Sequence, residues 1–284
     1  MSPRPGNRKA RLTLDRLVRA ALAEDVGPGD LTTRLTVPAD RVSKALLVAR
    51  APGVLCGLDV FAKVMHAVSP RVKVKPLQRD GAAFRDGEIL ARVSGPTRPI
   101  LTAERTALNF LQRLSGIATL TREYVAAVRG TRAVILDTRK TLPGWRELEK
   151  RAVRCGGGEN HRMGLYDMVL VKDNHLAAAG SIPAALEACH SAGKPVEIEV
   201  TDIPGLREAL DAGATRILLD NMDPHRMRRA VELARGKAKL EASGNINLRR
   251  VRAVAETGVD FISVGAITHS APAADIALDL LSGR

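Results

Sequence analysis

Six short apolar runs between residues 133 and 264 constrain the fold of this chain more than any other feature of its sequence. They occupy 133–136, 168–171, 196–200, 216–219, 238–242 and 261–264. The polar or glycine residues at or near their ends, from Arg139 to Gly265, follow one another at intervals of 33, 27, 21, 23 and 22 residues. This spacing is typical of βα units, and repeated units predict an α/β fold. Six strands are fewer than a complete (β/α) barrel has, so we predict an open, incomplete barrel.

The residues before this pattern predict a second, different unit. β-prone runs at 44–48, 72–75 and 89–93 alternate with Asp-Gly turns, which is typical of a small antiparallel α+β unit. A helical pattern begins at Thr102 and carries the chain to a stop near Gly130. Apolar residues alternate along 276–280, which predicts a strand that returns to the first sheet. The predicted divisions are a basic, disordered lead-in at 1–11, the α+β domain at 12–112, the barrel at 113–269, and the return at 270–284.

The net charge of +13 allows three kinds of partner: nucleic acid, an anionic membrane or a polyanionic small substrate. Aromatic residues make up only 2% of the chain, and proteins that bind single strands need aromatic stacking surfaces, so we do not expect nucleic acid. No apolar run reaches the roughly 18 residues of a membrane span, so we expect no membrane association. The three cysteines form no close pair, which favours a reducing, cytoplasmic setting.

Cationic and hydroxyl side chains follow the first two runs, where the βα loops of a barrel hold the active site. They are Thr138, Arg139, Lys140, His161, Arg162 and Lys172. Arginine offers a planar fork and lysine a point charge, and both suit carboxylate or phosphate. The glycines at 156–158 permit close backbone approach or positive φ. A lysine at a strand end also permits Schiff-base chemistry, and the sequence leaves that reading of Lys172 open.

Two carboxylates are predicted to lie beside this basic set. Glu197 and Glu199 share one side of their strand, and Asp220 ends the following strand. Glu199 and Asp220 are therefore candidate neighbours, and oxygen ligands next to a phosphate site suit Mg²⁺. The alternative is that they only balance nearby arginines and lysines.

The last two runs end in small polar residues and glycines. They are Ser243, Gly244, Asn245, Ser263 and Gly265. In barrels the loops after the late strands commonly bind phosphate, and glycine lets backbone N–H groups reach it.

From about Asp15 to its C-terminus, the chain resembles the quinolinate phosphoribosyltransferase family. The resemblance is carried, in order, by ERTALNFLQRLSGIAT, DTRKTLPGWRELEKRAVRCGGGENHRMGLYDMVLVKDNH, EIEV, LLDNM, EASGNI and SVGAITHS. It implies an α+β sandwich followed by an open barrel with one strand more than the six runs. It implies a homodimer or higher assembly with active sites shared between subunits. It also implies that quinolinate and phosphoribosyl pyrophosphate react, with Mg²⁺, to nicotinate mononucleotide, pyrophosphate and CO₂, a step of NAD synthesis.

The resemblance also implies roles for individual residues. Arg139, His161, Arg162 and Lys172 match the binders of the quinolinate carboxylates, with Lys140 near the pyrophosphate or a carboxylate. Arg105 matches an arginine that the partner subunit supplies. Glu199 and Asp220 match catalytic carboxylates near the ribose hydroxyls and Mg²⁺, without deciding whether they bind the metal directly. The phosphate loops match Ser243, Gly244, Asn245 and Gly265, with Ser263 beside them and Thr138 beside Arg139.

Three alternatives stay open at this point. The first is a related phosphoribosyltransferase that acts on another aromatic acid. The second is a Schiff-base lyase that uses Lys172, and the third is a basic nucleic-acid-binding protein.

Overall fold

The computed structural model describes residues 13–281, which form two compact units. One unit combines the chain up to Ser115 with the residues from Ala273 onward, and the other spans Gly116–Pro272. The predicted lead-in at 1–11 lies outside the described residues. Of the helices in 13–281, none combines the length and the apolar composition that crossing a bilayer would need.

The strands of the first unit are β1 (Val42–Ala49), β2 (Gly53–Val54), β3 (Lys73–Pro76), β4 (Ala83–Phe84), β5 (Ile89–Pro96) and β12 (Ile276–Leu280). Four of them form an antiparallel sheet in the order β12-β1-β5-β3, and β2 pairs with β4 separately. Its helices are α1 (Leu14–Val26), α2 (Leu31–Thr36) and α3 (Leu58–Val68). β12 pairs with β1, Leu278 opposite Leu47, and the amide of Gln112 donates to the carbonyl of Ile276 at 2.7 Å.

Helix α3 was not predicted, because the β-prone runs on either side drew the interpretation of this region towards strands. Its own pattern is helical: Leu58, Phe61 and Met65 are spaced three and four residues apart and are all buried. The carboxylate of Asp80 accepts hydrogen bonds from the backbone N–H groups of Gly57 and Leu58, which satisfies two donors at the start of the helix.

The second unit is a six-stranded, wholly parallel sheet with the order β6-β11-β10-β9-β8-β7. Its strands are β6 (Val134–Leu136), β7 (Val169–Val171), β8 (Val196–Val200), β9 (Arg216–Asp220), β10 (Lys239–Ser243) and β11 (Phe261–Ser263). The helices are α5 (Arg146–Gly156), α6 (Asp173–Ala179), α7 (Ile182–Cys189), α8 (Ile203–Asp211), α9 (Pro224–Ala234), α10 (Val251–Ala255) and α11 (Ala266–His269), with a 3₁₀ turn at His190–Ala192. The long helix α4 (Thr97–Ala127) contributes residues to both units.

Each of the six apolar runs became one strand of this sheet, so the prediction of an open α/β barrel is confirmed. The predicted long helix is confirmed too, although it begins at Thr97 rather than Thr102. The described residues show no seventh strand in this sheet, but one isolated parallel bridge joins Leu136 and Glu159. A single bridged residue carries no apolar run, which explains why no such run marks it in the sequence.

Alternation along the strands places the polar residues on one face of the parallel sheet. Ile198, Ile217 and Ile262 are fully buried. Their neighbours along the same strands, among them Glu199, Leu218 and Ser263, belong to the opposite face. That face and the carboxyl ends of the strands form the site.

Candidate active site

A cavity of about 820 Å³ opens at the carboxyl edge of the parallel sheet. Every strand of that sheet contributes to it through a residue at or just after its end. These are Arg139, Lys172, Glu199, Asp220, Ser243 and Gly265, the same six that mark the ends of the apolar runs. The spacing pattern therefore located the cavity as well as the strands.

Apart from the glycines at 156–158, the cavity brings together all but one of the candidate site residues from the sequence. Its lining includes Thr138, Arg139, Lys140, His161, Arg162, Lys172, Glu199, Asp220, Ser243, Gly244, Asn245, Ser263 and Gly265. Arg105 is the exception: it is exposed on α4, in the N-terminal unit, and is not among the lining residues of the described chain.

Two of the four carboxylates in the lining are neutralised by cations from outside it. Asp137 is fully buried and paired with Lys150, and Glu241 is fully buried and paired with Arg216 at 2.6 Å. The lining itself carries Arg139, Lys140, Arg162 and Lys172. Four cations therefore face only the carboxylates of Glu199 and Asp220, which leaves a surplus of positive charge for an anionic ligand.

Arg139 offers an unused donor. Its Nε is buried, and within residues 13–281 it has no hydrogen-bond acceptor. Buried donors are almost always paired, so an unpaired one in a cavity wall points to a ligand acceptor. The guanidinium of Arg146 holds the loop in place by donating to the carbonyl of Arg139 at 3.2 Å, to Oγ1 of Thr141 at 3.0 Å and to the carbonyl of Met163 at 3.2 Å.

Arg162 is the most buried cation of the cavity lining, with 9% of its surface exposed. Burial and the nearby charge of Arg139 lower its pKa, but an arginine remains charged at neutral pH. Two guanidinium groups held close together repel each other in the absence of a counter-ion, and a dicarboxylate would relieve that repulsion.

A buried ion pair fixes the segment that carries His161 and Arg162. The carboxylate of Asp137 accepts from Nζ of Lys150, from Nδ2 of Asn160 at 2.5 Å and from the backbone N–H of His161 at 2.9 Å. Lys150 also donates to the carbonyl of His161 at 3.1 Å. Burial raises the pKa of Asp137 and lowers that of Lys150, while their mutual attraction opposes both shifts.

His161 lies in the cavity wall with both ring nitrogens in contact with protein. Nε2 donates to Glu197 at 2.9 Å, and the backbone N–H of Arg162 donates to Nδ1 at 2.7 Å. Burial alone would lower the pKa of His161, but Glu197 and Glu241 outweigh it and raise the pKa to about 9. The contact at Nδ1 suits the neutral ring. The two carboxylates outweigh that contact, because hydrogen bonds to ionised groups are about twice as strong as neutral ones.

The three glycines at 156–158 serve packing and a helix end rather than a ligand. A Cβ on Gly156 would lie 2.5 Å from the carbonyl oxygen of Ala118, and one on Gly158 would lie 2.9 Å from Cγ2 of Thr121. Gly157, at φ 93°, ends α5 in the left-handed conformation. The sequence left two roles open for these glycines. Positive φ is confirmed at Gly157, and the backbone at Gly156 and Gly158 closely approaches helix α4, not a substrate.

The acidic edge of the cavity is built by β8 and β9. Nζ of Lys172 lies 2.8 Å from Oε2 of Glu199, and Nδ2 of Asn221 donates to Asp220 at 2.9 Å. Asn221 and Asn245 are the two non-glycine residues of 13–281 with positive φ, both at 53°, and both line the cavity. Their side chains are joined by a 3.0 Å hydrogen bond. Strained backbone of this kind is concentrated at functional sites.

Several residues of the site were not singled out from the sequence. Glu241 lines the floor of the cavity, whereas the other three, Arg146, Lys150 and Arg216, are not among its lining residues. Each of the four acts through a hydrogen bond to a neighbouring residue. A signal existed for Glu241, because it shares its side of β10 with Ser243. No local signal marks Lys150, whose partner Asp137 lies on another element.

A surplus-cationic cavity with an acidic edge, at the carboxyl ends of an open parallel barrel, defines an α/β enzyme for small anionic substrates. Two family models match the chain: the quinolinate phosphoribosyl transferase C-terminal domain over residues 117–279 and the N-terminal domain of the same family over residues 30–115. The chain therefore belongs to the quinolinate phosphoribosyl transferase family.

Individual relatives agree over nearly the whole chain. It is 46% identical to the nicotinate-nucleotide pyrophosphorylase (carboxylating) of Mycobacterium leprae, over 93% of this chain and 95% of that protein. It is 42% identical to a probable enzyme of the same name from Bacillus subtilis, over 95% and 94%. The solved nicotinate-nucleotide pyrophosphorylase of Francisella tularensis superposes with a TM-score of 0.89 at 42% identity, covering 94% of this chain and 96% of that one.

Proposed function

We propose that this chain transfers the phosphoribosyl group of phosphoribosyl pyrophosphate to quinolinate, giving nicotinate mononucleotide, pyrophosphate and CO₂. The pyridine nitrogen forms a bond to C1 of the ribose as the bond to pyrophosphate breaks. The carboxylate next to that nitrogen then leaves as CO₂, its bonding electrons stay on the ring carbon, and a proton takes its place. The observation that carries the proposal is the convergence of Arg139, Arg162 and Lys172 with Glu199 and Asp220 in one cavity.

Binding of the two anions together is the first task of the site. Two unit charges 4 Å apart repel by about 1 kcal/mol in water and by more in a drier cavity. Arg139 and Arg162 suit the two carboxylates of quinolinate, with the unpaired Nε of Arg139 as a ready donor. Lys172 and His161 complete this carboxylate-binding half of the site. Lys140 also lines the cavity and would lie near the pyrophosphate or a carboxylate, and its carbonyl accepts from Oγ1 of Thr268 at 2.8 Å.

The 5′-phosphate half is provided by the loops after β10 and β11. Ser243 and Asn245 offer side-chain donors, and Gly244 and Gly265 offer backbone N–H groups. Ser263 lies beside them with its hydroxyl donating to Glu241. A Cβ on Gly244 would lie 2.2 Å from Oδ1 of Asn221, so only glycine leaves this turn intact. Positioning of both substrates is expected to provide much of the rate enhancement, since no protein nucleophile is required.

The acidic edge suits the charge that develops as pyrophosphate leaves. The ribose then gains oxocarbenium character, and Glu199 and Asp220 are the carboxylates of the cavity not already neutralised from behind. Fixed charges aimed at a developing charge are a large source of catalysis. Because Glu199 is paired with Lys172, the ribose half and the carboxylate half of the site are coupled.

Mg²⁺ fits this edge of the cavity. The metal prefers oxygen ligands and usually binds through one or two carboxylates, waters and substrate phosphates, and Glu199 and Asp220 supply such carboxylates. When bound, the metal would neutralise charge on the pyrophosphate. Lys172 engages Oε2 of Glu199 and Asn221 engages Oδ2 of Asp220, so each carboxylate would offer its second oxygen to the metal.

We further propose a cytoplasmic homodimer, or a higher assembly of dimers, in which Arg105 of one subunit completes the site of the other. Arg105 is exposed, as such a role requires, and the charge it would add has the same sign as the rest of the carboxylate half.

The alternatives are less consistent with the site. Schiff-base chemistry needs a free amine, whereas Lys172 is held by Glu199 at 2.8 Å. The test is an assay with quinolinate, phosphoribosyl pyrophosphate and Mg²⁺, in which we expect nicotinate mononucleotide and CO₂ in equal amounts. Nicotinate in place of quinolinate serves as the control. Turnover of nicotinate or another aromatic monoacid, but not of quinolinate, would refute the proposal.

A further inference from the structure

A ring of charged side chains lies beneath the floor of the cavity. Glu197, Arg216 and Glu241 come from the neighbouring strands β8, β9 and β10, and both carboxylates are fully buried. His161 closes the ring from above. Along the strands, Glu197 and Arg216 stand two residues before the cavity-lining Glu199 and Leu218 on the same face of the sheet.

Arg216 is the centre of this arrangement. Its Nε donates to Glu197 at 2.9 Å, and its Nη2 donates to Glu241 at 2.6 Å. The guanidinium carbon lies 4.4 Å from the ring centroid of Phe261, which stacks beneath it. The second oxygen of Glu197 accepts from His161 at 2.9 Å, and Nε2 of His161 lies 3.4 Å from Glu241.

All four carboxylate oxygens of the ring are already occupied. Each glutamate uses one oxygen for Arg216; the other oxygen of Glu197 binds His161, and that of Glu241 accepts from Oγ of Ser263. His161, Glu197 and Glu241 are close enough to hold a metal ion, but Arg216 supplies the counter-charge in its place. The ring is therefore a closed ionic network.

Such a network contributes little to the stability of a protein core. Buried ion pairs stabilise little compared with apolar side chains of the same volume, but removing one partner leaves a costly uncompensated charge. The network reaches the cavity lining at His161, next to Arg162, and at Glu241 and Ser263. Its effect on the carboxylates of quinolinate is therefore expected through the imidazole of His161.

We propose that Arg216 is a positioning residue: by clamping Glu197 and Glu241 it fixes the imidazole of His161 in the wall of the carboxylate half of the cavity. Arg216 is not among the residues that line the cavity within 13–281, so it acts through His161 and not on the substrate itself. The inference rests on the proposed function only in naming quinolinate as the ligand of that half.

Two variants separate positioning from mere stability. Arg216→Met removes the clamp, and Arg216→Lys keeps the charge but cannot bridge two carboxylates with a planar fork. We expect Arg216→Met to raise the KM for quinolinate by roughly tenfold, because a buried charge pair next to the ligand is broken, with a smaller rise in the KM for phosphoribosyl pyrophosphate. The KM of Arg216→Lys for quinolinate should lie between the values of the unaltered protein and of Arg216→Met. Arg207→Met, on the exposed side of α8, is the matched control.

A structural role alone would lower the number of active molecules, and hence kcat, with both KM values unchanged. That result, or an equal rise in both KM values, would overturn the inference. If Arg216→Met does not fold, Arg216→Lys supplies the same comparison.

A second readout needs no substrate. In ¹⁵N-histidine-labelled protein, the ring signals missing from His161→Gln belong to His161, and we expect them to shift in Arg216→Lys but not in Arg207→Met. Unshifted His161 signals would overturn the positioning role even if quinolinate is turned over. Shifted signals in a protein that does not use quinolinate would refute the proposed function alone.

Discussion

Nζ of Lys172 and Oε2 of Glu199 lie 2.8 Å apart across the ends of β7 and β8. The pair joins a residue expected to bind a substrate carboxylate to one expected to face the ribose. The lysine is 44% exposed, so the pair contributes little to folding stability, since exposed ion pairs are worth about 0–1 kcal/mol.

The first prediction is that Lys172→Met lowers kcat/KM for quinolinate by roughly 100-fold, the scale of losing one charged donor in an active site, without lowering the melting temperature noticeably. Lys63→Met is the control, because Lys63 forms a comparable exposed pair with Asp15 outside the cavity lining. Steady-state kinetics and thermal unfolding of both variants check it. A large loss of stability with intact activity would show that the pair is structural.

The second prediction concerns Arg139. Its buried, unpaired Nε suits a substrate carboxylate, so Arg139→Ala should raise the KM for quinolinate by at least about tenfold. Arg228→Ala, on the exposed side of α9, should have no effect. An unchanged KM would remove Arg139 from the site.

The third prediction tests the shared active site. Arg105→Ala and Lys172→Met should each be nearly inactive alone. When the two are mixed and allowed to exchange subunits, hybrid dimers would contain one complete site, and activity should return in part. Absence of activity in purified, verified heterodimers would contradict a contribution of Arg105 across subunits.

The fourth prediction is a pH dependence of stability that originates at His161. Its pKa is about 9 in the folded protein, where Glu197 and Glu241 face it and Arg216 lies behind them, against an ordinary histidine value of 6.5. A group whose pKa is raised by folding makes its full contribution to the free energy of unfolding when the pH is below the pKa of that group in the unfolded chain. The contribution, at most about 3 kcal/mol, should therefore be complete below pH 6.5 and disappear as the pH rises through 9. Urea unfolding of the unaltered protein and of His161→Gln between pH 6 and 10 measures it. Parallel pH profiles for the two proteins would contradict it.

The sequence predicted the parallel sheet because every strand is a dense apolar run that ends in a polar residue at a βα loop. The same rule placed Lys172, Glu199 and Asp220 at one edge, since parallel strands share their carboxyl ends. It did not reveal helix α3, which lies between two β-prone regions.

The supporting residues of the site were harder to find, for a physical reason. Lys150 and Arg216 act through partners 11 and more residues away, and a buried lysine or arginine has the same local sequence signature as an exposed one. Only the burial of Asp137, Glu197 and Glu241 shows which cations are needed to neutralise them.

We expect one cavity to hold both anions, with the carboxylates of quinolinate against Arg139 and Arg162. A crystal structure of the protein with quinolinate bound would show this arrangement. We predict a carboxylate oxygen within about 3 Å of Nε of Arg139 and the second carboxylate facing Arg162. Quinolinate bound away from both guanidinium groups, or the two groups turned apart and away from Glu199 and Asp220, would contradict the account.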